Sequence, residues 1–558
     1  MTYYYKRQYH VGNAVLKYKH VWKDAHRFQA FLGFNIEHKD IRYLNGEKRN
    51  LLDQTKPEIS LATGDQFVYG SHDRWHTMGF FARVNYSYKD RYLIELNGRY
   101  DGSSNFPPDK PWGFFPSGSL GWVASEESWW EVMQPWWSFA KLRASYGSIG
   151  NQNVGSNRFR AIISSTNSGW VTGNEIDELT FTLPTAIANG FTWETIKTMD
   201  FGADFRFFND DLGASFDIYR RINDGMIVSG AEVPSTYGAS APYQNAAQLT
   251  TNGWEIMLDY HHRFSNGLQL TASAGVSDAL AIVTKHPRKS TSVIDGSNYE
   301  GKVVGEIWGF VTDRLFQADD FDADGNLLPG IAKQTYFENS NGYGYKYGPG
   351  DVKYVDLDGD GEITWGNKTV EDHGDWTRIG NTTPRYEYNF RIGFDWYGVD
   401  FSLFCQGVGK RDYWATGTMM IPGWNFSEGT YYAHQTDYWK PDHTDAWYPR
   451  LTEMNQPGQY SAASFNFLCQ TRYLLDLSYL RLKNITIGYT LPKKVLKAMH
   501  FQKFRIYGSF ENIAELTHLG NMPLDPETET STGDGGAMGY GRIYPFTRQL
   551  SFGLQITL

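Results

Sequence analysis

The sequence predicts an all-β protein, a large antiparallel transmembrane β-barrel, from three observations. Apolar and polar residues alternate strictly over many short stretches. Aromatic residues make up 16% of the 558 residues, yet the mean hydropathy is −0.50. The connections between these stretches are alternately short and long. Strands with one apolar face and one polar face separate an apolar medium from a wet one, as the strands of a membrane barrel do.

The clearest alternating unit covers residues 385–408. Its first half is an extended strand, and Tyr397-Gly398 then predicts a tight turn into a second strand. One face of this hairpin is apolar, while Glu387, Asn389 and Asp400 belong to the other face. The apolar positions are Tyr386, Tyr388, Phe390, Ile392, Phe394 and Trp396, followed by Val399, Phe401, Leu403 and Cys405.

The same pattern predicts about fourteen or fifteen strands from one end of the chain to the other. We expect them at residues 10–22, 26–37, 78–88, 92–100, 115–124, 139–146, 195–208, 212–222, 253–263, 268–277, 385–396, 399–408, 479–491, 504–510 and 549–558. An open sheet of this size would leave two unpaired edges, so closure into a barrel is expected. A soluble propeller or solenoid is the alternative, and uneven spacing without a fixed repeat argues against it.

The connections predict the two rims of the barrel. Short turns such as 89–91, 208–211 and 264–267 suit the periplasmic rim, and long connections suit the extracellular rim. We expect the longest loop at about 278–384. The sequence shows no run of roughly 18–20 apolar residues for a spanning helix. Met1 is not followed by a secretory signal, so we expect an incomplete N-terminus.

Bulk charge disfavours one class of partner. The net charge is −10, and lysine and arginine are scattered rather than clustered, so no nucleic acid partner is expected. Signatures of nucleophilic hydrolases, zinc proteases and nucleotide-binding loops are absent from the sequence, so the chain is not expected to be an enzyme.

One acidic motif predicts a metal site. Asp356, Asp358 and Asp360 occupy positions 1, 3 and 5 of a calcium-type loop, with Gly361 at position 6. Glu362 would contribute its backbone carbonyl, and Asn367 stands at position 12 where a glutamate is usual. The motif therefore predicts weak Ca²⁺ binding, and a solvated acidic turn is the alternative. A fainter version of the motif covers residues 320–325.

Tryptophans in the connections are a second candidate feature. Their flat rings could stack on a sugar or grip a peptide, or they could form the interfacial girdles of a membrane barrel. No substrate-binding residue is assigned from them. They are Trp129, Trp130, Trp136, Trp137, Trp414, Trp424, Trp439 and Trp447.

Several blocks resemble the C-terminal half of SusC/RagA-like TonB-dependent transporters, the nutrient importers of Bacteroidota outer membranes. The most specific is YLRLKNITIGY at 479–489, and the blocks follow the order of the family from about residue 75 to the end. The others are RVNYSYKDRY (83–92), RYDGSSNF (99–106), WGFFPS (112–117), LRASYG (142–147), GNQ (150–152), WET (193–195), PGDVKY (349–354), YWKP (438–441) and YPRL (448–451).

The resemblance implies that residues 1–558 are part of a 22-stranded plugged barrel, with the signal, plug domain and first strands missing from the chain. It also implies TonB-dependent uptake of oligosaccharides or peptides across the outer membrane of a Gram-negative bacterium. The implied partners are a SusD-like surface lipoprotein, the TonB–ExbB–ExbD complex and outer-membrane lipid. A passive porin or a surface-adhesion barrel without TonB coupling is the alternative.

Overall fold

The structure is a computed structural model. It describes residues 2–155, 158–171, 177–183, 186–188, 190–230, 234, 236, 238, 241–287, 296–334, 346–415, 419–422, 431–451, 466–498, 500–527 and 546–558. No helix in these ranges is long and apolar enough to cross a membrane.

Alternating stretches form strands because successive side chains of an extended backbone point to opposite faces. The strands are β1 Thr2–Trp22, β2 His26–Lys48, β3 Gln66–Tyr88, β4 Tyr92–Ser103, β5 Trp112–Val123, β6 Phe139–Asn151, β7 Ser165–Val171, β8 Asp177–Phe181, β9 Glu194–Phe207, β10 Leu212–Ser229, β11 Tyr243–Arg263, β12 Gln269–Lys285, β13 Glu306–Phe310, β14 Thr312–Leu315, β15 Val352–Tyr354, β16 Trp376–Asn381, β17 Arg385–Trp396, β18 Val399–Lys410, β19 Asp412–Trp414, β20 Leu474–Asp476, β21 Tyr479–Thr490, β22 Lys503–Thr517 and β23 Gln549–Thr557.

In the part of the chain that the structure describes, helical structure is confined to short pieces of the connections. Five described 3₁₀ turns lie at Ile59–Leu61, Ala124–Glu126, Ser128–Val132, Ala318–Asp320 and Ala433–Thr436, and one α-helix lies at Lys493–Ala498.

Fifteen strands form one antiparallel sheet in the order β1-β2-β3-β4-β5-β6-β9-β10-β11-β12-β17-β18-β21-β22-β23. The all-β prediction and the strand count are therefore confirmed. The remaining strands form four two-stranded sheets, β7-β8, β13-β16, β14-β15 and β19-β20, within long connections. The sequence pattern did not predict these small sheets, because strands of three to seven residues carry too little alternation.

The hairpin at 385–410 has the predicted register. Phe390 pairs with Cys405, Ile392 with Leu403, and Phe394 with Phe401, so each face carries one kind of residue. The rings of Phe394 and Phe401 stand 5.2 Å apart. The turn at Tyr397 and Gly398 has positive φ at both positions, 48° and 86°, which matches the right-handed twist of the flanking strands.

The first three strands are longer than predicted. The alternation of apolar residues ends near Ile36 and Met78, but pairing continues to Lys48 opposite Gln66. Beyond these stretches charged side chains such as Asp40, Arg42 and Arg74 interrupt the apolar face, so hydrophobic alternation alone could not mark where the strands end.

By contact density the chain divides into two compact units. Unit 1 comprises residues 1–209, 217–252 and 281–289. Its small buried clusters lie at the ends of strands, around Phe106, Phe191 and Trp193 and around Trp130 and Ala140. Unit 2 comprises residues 210–216, 253–280 and 290–558, and it holds the largest buried core among the described residues.

Candidate functional site

The long connections of unit 2 share one buried core. We call this part the loop assembly: residues 296–334, 346–384, 411–415, 419–422, 431–451, 466–478 and 518–527. Removing apolar side chains from water drives this packing. Side chains that are almost completely buried there are Phe310, Phe316, Ile363, Met419, Met420, Tyr448, Tyr473 and Leu477.

A buried carboxylate ties three segments of the loop assembly together. Asp351 is fully buried and accepts hydrogen bonds from Arg450 Nε at 2.9 Å and Nη2 at 2.7 Å, and from Asn466 Nδ2 at 2.9 Å. The backbone of Gly348 donates a fourth bond at 2.8 Å. A buried charge needs such full pairing, because an uncompensated carboxylate in the interior is strongly destabilising. The loops are therefore held in one arrangement by charge as well as by apolar contact.

The predicted acidic motif forms a tight turn. Asp356 accepts the backbone N–H groups of Gly359 at 2.6 Å and Gly361 at 2.9 Å, and both glycines have positive φ. Asp358 and Asp360 each accept one backbone N–H, from Asp360 and Glu362. These bonds curl the segment as the motif predicts.

The structure brings together only part of the predicted ligand set. One carboxylate oxygen each from Asp356, Asp358 and Asp375 lies within 4.8 Å of the others. The Asn367 side chain donates to Asp372 instead. Asp360 and Glu362 do not belong to this group. Calcium binding by Asp356, Asp358, Asp360, Glu362 and Asn367 stays a prediction.

Asp375 is the residue that sequence reasoning missed. It follows Asp356 by nineteen positions, outside any twelve-residue loop, and it is fully buried. Its carboxylate accepts the N–H groups of Leu357 at 2.7 Å and Thr364 at 2.8 Å. These two bonds join the start and the end of the acidic turn. Burial raises the pKa of Asp375, and the nearby Asp358 and Asp356 raise it further. The two backbone hydrogen bonds lower this pKa but do not cancel the increase.

The second acidic stretch is used for structure. Asp320 is buried, and both its oxygens accept bonds from Arg314, at 2.6 and 2.7 Å. Burial raises the pKa of Asp320, but Arg314, the backbone N–H of Gln317 and Lys353 together outweigh burial, so the pKa is lowered. Asp322 accepts the backbone N–H groups of Asn326 and Asp324, which lower its pKa.

The predicted group of tryptophans is divided by the fold. Trp129, Trp130, Trp136 and Trp137 lie between β5 and β6, at the rim that carries the short turns. Trp130 is buried against Trp137, with ring centroids 4.6 Å apart. By contrast, Trp414 and Trp439 from the predicted group pack against the core of the loop assembly. The rings of Trp447 and Tyr473 meet edge to face. Trp424 lies outside the described residues.

The polar face of the sheet carries charge pairs that cross strands. In unit 1, Arg143 donates to Asp204 at 2.9 and 3.1 Å and to Asp217 at 2.8 and 2.9 Å. A cavity of about 870 Å³ in the same unit is lined in part by Arg143, Lys141 and Asp200. In unit 2, Arg385 pairs with Asp278 in the same way, across strands. Such a surface suits water and polar solutes.

Comparison with known proteins agrees with this architecture. The family model described as "TonB dependent receptor-like, beta-barrel" matches residues 2–404. The TonB-dependent receptor P3 of Formosa agariphila is 27% identical over 498 residues, covering 85% of this chain and 45% of that protein. The TonB-dependent receptor SusC of Bacteroides thetaiotaomicron is 24% identical over 491 residues, covering 86% of this chain and 43% of that protein.

Solved structures show the same fold. The RagAB peptide importer in its closed-closed state matches 100% of this chain and 56% of that chain, with a TM-score of 0.75 and 19% identity. The chain spans about half the length of the curated relatives it matches.

The fold and the two-faced strands define an outer-membrane β-barrel of the TonB-dependent type. The chain belongs to the TonB-dependent receptor-like β-barrel family. That family consists of receptors and transporters, and it places this chain in the outer membrane.

Proposed function

We propose that the chain forms the wall and the outer loops of a SusC-type importer, which takes up oligosaccharides or peptides in a TonB-dependent manner. The observation that carries the proposal is the loop assembly. A passive pore needs no large, densely packed structure on its loops, whereas a receptor must present a fixed surface to its ligand.

The proposal also assigns the parts of such an importer to residues inside and outside this chain. Residues 1–558 supply part of the barrel with its long extracellular loops, and the longest, predicted at about 278–384, begins after Lys285, where β12 ends. The plug and the segment that contacts TonB belong to the part of the protein outside these residues. This proposal is motivated by the chain's coverage of about half of each relative.

The partners are part of the same proposal. A SusD-like lipoprotein would cover the loop assembly and deliver the substrate. The TonB–ExbB–ExbD complex would then open a path past the plug. The charged polar face would line that path, since pairs such as Arg143 with Asp204 present hydrogen-bonding groups to a polar solute.

Energy-dependent uptake tests this function. Cells that carry the whole gene would be given a fluorescent pool of oligosaccharides and, separately, a pool of peptides. We expect one pool to accumulate, and a protonophore or the loss of ExbB to abolish its accumulation. Uptake that continues after de-energisation would support a passive porin instead. Absence of uptake together with cell-surface binding would support an adhesion barrel.

We also propose that the protein has no enzymatic activity of its own. The purified protein, incubated with the transported pool, should return it unchanged by chromatography. Hydrolysis that survives repeated purification would contradict this part of the proposal.

A further inference from the structure

The outward face of the first three strands carries a polar cluster just beyond its apolar band. Directly paired residues of neighbouring strands point to the same face. Along β1, β2 and β3 this face is apolar in the rows that contain Leu16, Leu32 and Ala82, and then Gly12, Ile36 and Met78. The next three rows are His10–His38–His76, Gln8–Asp40–Arg74 and Lys6–Arg42–His72. We call these nine residues the outer basic patch.

The length of the apolar band fixes the height of this patch. The band begins at the row of Trp22, Tyr88 and Tyr92, and it ends at the row of Gly12. Ten positions of strand extend about 34 Å, and a tilt of about 40° reduces that to roughly 26 Å across the membrane. An outward apolar band is about 25 Å tall in such barrels. The row of His10 therefore lies at the edge of the hydrocarbon layer.

The basic side chains lie higher still. The rows of Arg74 and of Lys6 stand roughly 10 and 15 Å beyond the edge of the band by the same rise and tilt. These rows lie toward the rim with the long connections, which is the extracellular rim in the proposed orientation. A phospholipid headgroup layer is only about 5–8 Å deep on each side. A phosphate that meets these rows must stand higher, as it does when a sugar headgroup carries it.

One carboxylate organises the basic groups. Asp40 is buried, and it accepts a hydrogen bond from Arg74 Nε at 3.1 Å and contacts His72 Nε2 at 2.9 Å. Arg42 Nε approaches it at 3.5 Å. The side chains of Arg42 and Arg74 nevertheless stay 59% and 53% exposed. Guanidinium groups fixed in this way are prepared to bind phosphate with little further loss of conformational entropy.

The imidazoles complete the lower part of the patch. His10 and His38 stack at 6.4 Å between ring centroids, and His38 lies 6.5 Å from His76. Such rings combine an apolar body with a hydrogen-bonding edge, so they suit the level where acyl chains meet a polar headgroup. From the membrane outward, this face is therefore apolar, then imidazole, then cationic, and beyond the patch the next row carries Tyr4 and Leu44 near the ends of the strands.

We propose that the outer basic patch binds the phosphorylated sugar headgroup of a glycolipid in the outer leaflet. Acyl chains would lie against Leu32, Phe80 and their neighbours, and the phosphate would meet Lys6, Arg42 and Arg74. The lipid would thereby fix this side of the barrel in the membrane.

Native mass spectrometry of the protein purified from outer membranes tests the proposal. Lipid A that carries its phosphates would be titrated against the wild type and against the variant Lys6→Gln/Arg42→Gln/Arg74→Gln. Each basic residue near an anionic surface is worth about fivefold in affinity, so the variant should bind roughly a hundredfold more weakly. Dephosphorylated lipid A and phosphatidylglycerol should both bind the wild type much more weakly than lipid A does.

The control is Arg7→Gln/Lys39→Gln, which removes two charges from β1 and β2 at a similar height but on the opposite face. It should bind lipid A as the wild type does. Equal binding by the triple variant, by dephosphorylated lipid A or by phosphatidylglycerol would overturn the proposal, as would an equal loss in the control. If the triple variant fails to fold, Lys6→Gln and Arg42→Gln alone should each bind about fivefold more weakly.

Discussion

Two buried aspartates of the loop assembly are held in different ways. Asp351 is neutralised by the bidentate Arg450, whereas Asp375 has only backbone N–H donors and faces two further carboxylates. A buried charge with a cation opposite it locks a structure, while a buried charge among like charges favours a proton or a metal ion. Asp351 therefore has a structural role, whereas the charge state of Asp375 should depend on pH and on metal ions.

Loss of the charge on Asp351 should loosen the loop assembly. Asp351→Asn leaves Arg450 without its partner, and we expect a cost of roughly 2–3 kcal/mol because Arg450 is partly exposed. Limited proteolysis of the folded protein should then cut the loops several-fold faster. Asp445→Asn is the control, since Asp445 is almost fully exposed in the same assembly. Equal protection of the wild type and Asp351→Asn would contradict the assigned role.

Calcium should bind the acidic turn weakly, with a Kd of about 0.1–1 mM as in other extracellular sites. Terbium luminescence and calorimetry would measure it, and Asp358→Asn and Asp375→Asn should abolish it. Asp322→Asn, in the second acidic turn, should leave it unchanged. No calcium-dependent signal in the wild type would refute the metal prediction.

The pH dependence of that binding has a defined sign. Because the pKa of Asp375 is raised, a proton competes with the cation at pH values above the ordinary aspartate range. Affinity should therefore increase as pH rises through the raised pKa. Without calcium, the contribution of Asp375 to stability should be lost over the same interval. An affinity that does not change across this interval would argue against Asp375 as a ligand.

At the scale of a strand, the alternation in β17 separates two environments one residue apart. Phe390 belongs to the apolar face and is flanked in the sheet by Ala274 and Cys405, while Asn389 is flanked by Gly275 and Gln406. Neighbours in sequence thus face lipid and the polar interior in turn. A substitution of the same chemistry at the two positions should have opposite consequences.

Phe390→Arg should impair insertion, because an arginine on the lipid face costs roughly 2–4 kcal/mol at the bilayer midplane. Heat-modifiable migration in gel electrophoresis measures the folded fraction in the outer membrane. Asn389→Arg is the matched control, and it should fold normally. Normal folding of Phe390→Arg would count against the assignment of this face to lipid.

The whole molecule combines a membrane-spanning sheet with a loop assembly that has its own buried apolar core. The sheet is stabilised by a closely paired backbone in an apolar medium, and the loop assembly by ordinary burial around Phe310 and Tyr473. Because the sheet and the loop assembly are stabilised differently, we expect them to unfold separately, and a single free energy of unfolding does not describe this protein.

We therefore expect two thermal transitions, with the loop assembly melting first. Phe310→Ala removes a fully buried ring and should destabilise that assembly by about 3–5 kcal/mol, which shifts the first transition only. Leu328→Ala, at a partly exposed position, should shift neither transition measurably. One cooperative transition shifted as a whole by Phe310→Ala would show that sheet and loops unfold together.

The sequence by itself determined the membrane sheet. A two-residue period is a local property, so the faces, the hairpin at 385–410 and the number of strands could all be predicted from neighbouring residues. The acidic turn was also visible, since Asp356, Asp358 and Gly361 lie within six positions. The ends of β1, β2 and β3 were not, because strand pairing continues after hydrophobic alternation stops.

Only the tertiary structure decided which distant residues meet. Asp375 joins the acidic turn from outside its motif, and Asp351 meets Arg450 and Asn466 from about a hundred positions away. Likewise, the outer basic patch exists only through register, since a slip of one residue between β2 and β3 would turn Arg74 to the opposite face from Arg42. The physical reason is that periodicity is local, whereas pairing register and loop packing depend on contacts that no short stretch of sequence contains.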